Sequence, residues 1–113
     1  MRWIVIGTMM LAAVGLSAAP AAAQSEKAAK GADVYAAQKC ALCHSIGDKG
    51  NKKGPLDDVG ARLSEADLRA WVVDAKGMTA KTKATRKPDM KNYDLPPADL
   101  DALVAYMTTL KKK

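Results

Sequence analysis

Beyond residue 23 the apolar positions of this chain recur with the spacing of helices, and no run alternates in the way a half-buried strand does. Residues 26–39 combine Ala28, Ala29, Ala32, Ala36 and Ala37 with Val34 and Tyr35, a composition of high helix propensity in which Gly31, Val34, Tyr35 and Gln38 share a face. From Ser45 to Gly60 the pattern is replaced by Gly47, Gly50, Gly54, Pro55 and Gly60 among lysines, which is loop chemistry. Ser64-Glu65-Ala66-Asp67 has the form of a capping box. The helix it opens should turn Leu68, Trp71, Val72 and Ala75 inward and stop near Gly77. Residues 78–94 carry five cations and no apolar period, and read as a long exposed loop. Pro97 at a first helical position, with Asp99 in the first turn, starts a last helix with Leu100, Leu103, Val104, Met107 and Leu110 on one stripe. Lys111, Lys112 and Lys113 stand where its dipole favours cations. The expected fold class is all-α.

The first 23 residues read differently. Arg2 precedes an apolar run from Trp3 to about Leu16, and Ala21-Ala22-Ala23 supplies a small-residue cleavage pattern. This is the layout of a secretory signal peptide, too short for an ordinary bilayer span, with a mature start at Gln24. The expected division is therefore 1–23 leader and 24–113 domain. Such a chain would be exported, to the periplasm or the outer side of the cytoplasmic membrane, with no stable membrane insertion after cleavage. What remains is one small domain of about 90 residues, where a side-chain core is marginal. The chain has no Phe, and Tyr35, Trp71, Tyr93 and Tyr106 are the aromatics left after cleavage. Its formal charge of +6 falls by one with Arg2, and the remaining excess suits an acidic docking partner or an anionic surface. No nucleic-acid motif is present, so a nucleic-acid partner is not expected.

Composition leaves the core short of bulk, and Cys40-Ala41-Leu42-Cys43-His44 suggests what fills it. A C-x-x-C-H run is an attachment site for c-type haem, in which two thiols bond the macrocycle and the adjacent imidazole reaches the iron. A zinc site would want four ligands where Cys and His supply three, and a redox dithiol would be expected beside a βαβ pattern. Haem would be one large apolar body around which the helices pack, coupling cofactor binding to folding. Both thiols would then be consumed, leaving no cysteine for a disulfide.

His44 is the only histidine, which excludes a second imidazole from the same molecule as axial ligand. Met78, Met90 and Met107 are the thioethers available after cleavage. Met107 lies on the apolar stripe of the last helix, where core filling is the ordinary role. Met78 follows Gly77 in the expected loop, and Met90 follows Pro88 later in the same loop. Trp71 can serve as an apolar wall or as an indole donor to a haem propionate, and Tyr93 divides similarly between packing and a polar contact.

Gly31 with Tyr35, the C-x-x-C-H run, Gly54-Pro55-Leu56, a Met in a Pro-containing loop, and Leu103-Val104 with Tyr106 stand in this order over the whole mature segment. In that order the chain resembles the class I monohaem c-type cytochromes. The resemblance implies three to four helices packed around one covalent haem, with first and last helices crossing at Gly31 and Tyr106. It also implies that the Pro55 carbonyl accepts the Nδ1 proton of His44 and that Met90 is the sixth ligand. The family's usual Pro directly after that Met is Lys91 here. With His44 and Met90 on the iron no site is open to substrate. The expected activity is then single-electron transfer between redox proteins with acidic docking surfaces, by a monomer that is not an enzyme. The rival readings are a haem-based ligand-binding or sensor module with a labile sixth ligand, and a dedicated electron-transfer subunit of a dehydrogenase or oxidase complex.

Overall fold

The computed structural model describes residues 19–112. Five helical segments carry the architecture: α1 (Ala19–Ala37), α2 (Val59–Arg62), α3 (Glu65–Val73), α4 (Ala75–Thr82) and α5 (Pro97–Thr108). A single 3-10 turn, Cys40–Leu42, and a two-residue antiparallel ladder of β1 (Ser45–Ile46) and β2 (Lys49–Gly50) lie between α1 and α2. The fold is all-α, as the periodicity indicates. Residues 1–18, which hold the charged and most of the apolar part of the expected leader, lie outside the described residues. The expected cleavage point after Ala23 falls near the start of α1. No helix among the described residues is long and apolar enough to cross a membrane.

α1 and α5 cross with almost no space between them. A Cβ on Gly31 would run into the Ala102 carbonyl and the Tyr106 side chain, so only glycine lets the two backbones approach this closely. One turn along, the Tyr35 and Tyr106 rings meet edge to face with centroids 6.0 Å apart. The expected crossing and its expected contact residue are therefore both present. Val34, Val59, Leu68, Val72, Leu103, Val104 and Met107 form the buried core around this crossing. The α2 turn closes on the end of α5, where Gly60 N–H donates to the Leu110 carbonyl at 2.8 Å. Lys112 N–H then donates to Asp57 O, which lays the chain end beyond α5 along the α2 approach.

The Ser64 cap forms as expected, its hydroxyl accepting from Asp67 N–H at 3.1 Å. The stop near Gly77 does not. α3 ends at Val73, and Asp74, at φ −140 and ψ 55, breaks the helix and caps a new one by accepting from Gly77 N–H at 3.1 Å. α4 then runs to Thr82, where Lys83 in the left-handed region ends it. The expected 78–94 loop is thus shorter at its start, and Met78 is a buried helical residue and not a loop residue. An aspartate ahead of a helix-compatible run is an N-cap signal of the same kind as Ser64.

Candidate functional site

The turn after α1 arranges the three residues of the motif. Lys39 takes a left-handed conformation that ends the helical path, and the chain then winds through a tight turn. The Cys43 and His44 N–H groups both donate to the Cys40 carbonyl, at 3.1 and 2.9 Å. Cys40, Cys43 and His44 consequently face one cavity of about 750 Å³. Asn51 braces the turn from behind. Its N–H donates to Ala41 O and His44 O, and its side-chain amide donates to Leu42 O at 3.2 Å.

His44 is held by Gly54. The imidazole Nδ1 lies 3.1 Å from the Gly54 carbonyl oxygen, and because a carbonyl can only accept, Nδ1 carries the proton, which in the neutral ring leaves the lone pair on Nε2. The accepting residue is Gly54 and not the expected Pro55. The 54–56 strip runs parallel to 44–46, with Ser45 N–H donating to Gly54 O and Leu56 N–H to Ser45 O, and this register brings the Gly54 oxygen to the ring. Pro55 instead lines the cavity. A side chain at 54 would clash with the Cys43 carbonyl and with the Arg86 guanidinium. Burial lowers the His44 pKa, the Gly54 hydrogen bond opposes that, and the Arg86 charge adds to it. Burial also pushes the Cys40 thiol up.

The remaining expected residues converge on the same space. Met90, half-buried in the segment after α4, lines the cavity, as do Trp71 from α3 and Tyr93. Met107 reaches the cavity wall while belonging to the core, and Met78 is not among the lining residues. Trp71 and Tyr93 are both half-buried. Tyr93 packs against the core, carries the Lys91 ammonium 4.9 Å over its ring, and has its phenol pKa raised, first by burial. Leu56, Val59, Leu63, Leu68 and Leu103 complete apolar walls. The residues present suit a haem. The volume lies in the range of cofactor sites, about 300–1,000 Å³, the walls are apolar, and two thiols and one neutral imidazole stand on one side. Among the described residues no set of three or more His, Cys, Asp or Glu side chains is grouped as a metal cluster requires, so the zinc reading has no geometric support.

The family model described as cytochrome c matches residues 28–111, from α1 through the end of α5. The chain belongs to the cytochrome c family. No curated protein and no solved structure gives a significant match. Cytochromes c carry covalently attached haem c and transfer electrons, and Cys40 and Cys43 are the two attachment cysteines of the motif in this one. Local patterns did not reveal Asn51, the Gly54 oxygen or Arg86. Asn51 in a Gly- and Lys-rich loop signals a turn, but nothing local to it points at the motif ten residues earlier.

Proposed function

We propose that this cytochrome c is an exported single-electron carrier with His44 and Met90 as axial ligands. It works between donor and acceptor proteins and is not itself an enzyme. The observation that carries the reading is the convergence of Cys40, Cys43, His44 and Met90 on one apolar cavity, with the imidazole tautomer set by Gly54. Haem, when bound, supplies a one-electron couple at its iron. The chain supplies the rest. Gly54 holds the Nδ1 proton and so strengthens Nε2 as a donor. A Met90 thioether holding the iron would, being softer than a second imidazole, favour the ferrous state and raise the potential. Leu56, Val59, Leu68 and Leu103 line the cavity with apolar surface, which would keep water from the bound group. Pro55, Trp71 and Tyr93 form cavity wall, and the indole N–H of Trp71 would be available to a propionate.

The decisive experiment expresses the full chain with a c-type haem maturation system. Mass spectrometry of the product should give a chain starting at Gln24 with haem on two thioethers. Its oxidised spectrum should show the weak far-red band of sulfur ligation, and its reduced spectrum should not respond to CO. Met90→Ala should abolish the far-red band and admit CO. A wild-type protein that binds CO readily would replace the carrier by a ligand-binding module, and a far-red band surviving Met90→Ala would move the ligand to another thioether.

A further inference from the structure

Among the described residues, the stretch that carries Met90 is tied to the body of the protein at its two ends and little between. On the side nearer α4 the ties stop at Ala84, whose N–H donates to Thr79 O at 3.1 Å. From there to Lys91 no hydrogen bond reaches the body of the protein: Lys87 pairs with Asp89, Lys91 lies over Tyr93, and the Arg86 guanidinium sits beside Gly54 without bonding it. The next tie comes two residues past Met90. The Asn92 side-chain oxygen accepts from Lys76 N–H at 2.9 Å, and Tyr93 N–H donates to Val72 O at 2.8 Å.

The Asn92 contact has a particular place in the fold. Lys76 N–H is one of the orphan donors in the first turn of α4. Asp74 satisfies Gly77 N–H in that turn, and Asn92 satisfies its neighbour from sixteen residues away. One side chain thus completes the helix start and pins the chain immediately after Met90. We propose that Asn92 is a positioning residue for Met90: its hydrogen bond to the start of α4 sets how readily the Met90 sulfur gives way to another ligand. The inference rests on Met90 being the sixth ligand. Asn92 itself is exposed and lies outside the residues lining the cavity, so it acts only through the segment it holds.

The test uses the ferric holoprotein and imidazole as the competing ligand, with displacement of sulfur followed in the far-red band and global unfolding measured separately by denaturant. Loss of one hydrogen bond should raise imidazole affinity about five-fold in Asn92→Ala. Asn92→Asp, which keeps an acceptor at the same reach, should return it to within about two-fold of wild type. Ser64→Ala, which removes the comparable cap of α3 far along the chain from Met90, should lower global stability without raising imidazole affinity. If Asn92→Ala yields no holoprotein, Asn92→Ser, whose hydroxyl falls short of Lys76, is read in the same way. Unchanged imidazole affinity on removal of the Asn92 acceptor, or an equal rise in Ser64→Ala, would overturn the proposal. Failure of the Met90 reading is distinct, since it shows as a far-red band that persists in Met90→Ala.

Discussion

Tyr35 places a hydroxyl where no partner stands among the described residues. Its oxygen is buried at the α1–α5 crossing, on a residue that also lines the cavity, and burial, with smaller contributions from Cys40, Tyr106 and Asp57, pushes the phenol from 10.0 up to about 12. An unsatisfied buried hydroxyl costs about 1–3 kcal/mol. Tyr35→Phe should therefore leave the holoprotein equally stable or stabilise it by about 1 kcal/mol, read from the denaturant midpoint at neutral pH. The pH dependence has a definite sign. Below pH 10 the phenol is protonated in folded and unfolded chains alike. As the pH climbs through 10 toward 12 the unfolded chain ionises first, so stability falls. Tyr35→Phe should flatten that alkaline loss without abolishing it, because the Tyr93 phenol is raised as well. A destabilisation above about 1 kcal/mol on removing the hydroxyl would show that it has a partner in the loaded protein.

Helix identities were largely readable from local pattern, and contacts between segments were not. Ser64 and Pro97 announced α3 and α5 at the right residues, because capping is settled within one turn of chain. Asp74 carried an equally local signal, but Gly77 three residues later looked like a stop and hid α4. The haem motif was legible because its chemistry is contained in five consecutive residues. The carbonyl that holds His44 belongs to a loop whose register depends on the Ser45–Leu56 pairing, and the Asn92 contact spans sixteen residues. Neither has a periodic signature. Gly31 is the intermediate case, a glycine inside a helix whose cost is justified only by what α5 brings against it. Gly31→Ala raises intrinsic helix propensity by about 1 kcal/mol, yet its methyl meets backbone atoms of α5 that cannot rotate away. Net destabilisation of about 2 kcal/mol is expected. A neutral or stabilising result in denaturant titration of the holoprotein would mean that the helices separate at little cost.

At the scale of the whole molecule the charges are unevenly neutralised, and this bears on the partner. Between α1, α3 and α5, a crevice of about 290 Å³ is lined by charges that largely cancel, with Arg69 bridging Glu65 and Asp101. Lys30 nearby on α1 pairs with Asp99. The haem cavity is lined by the cations Lys39, Arg62, Arg86 and Lys91 and by one carboxylate, Asp89, which pairs with Lys87; of the four cations only Arg62 has a carboxylate partner among the described residues, Asp58. Leu42, between the two attachment cysteines, is 71% exposed and lines the same cavity, so one exposed apolar side chain accompanies the excess positive charge there. We propose that this rim steers acidic redox partners to the cofactor. Such steering acts over about 8–10 Å at physiological ionic strength and is screened beyond it. Oxidation of the reduced holoprotein by ferricyanide, an anionic one-electron oxidant, should therefore slow as salt rises from about 10 mM to about 0.5 M. A cationic cobalt complex should show the opposite slope. The double substitution Lys39→Gln, Lys91→Gln should reduce the ferricyanide rate several-fold at low salt and leave it unchanged at high salt, while Lys27→Gln beside the neutralised crevice should do neither. Because both rim lysines lie outside the ligand set, the far-red band serves as an internal control that the iron environment is intact. Equal salt slopes for the two oxidants would show that the rim charges are solvated surface and do not steer partners.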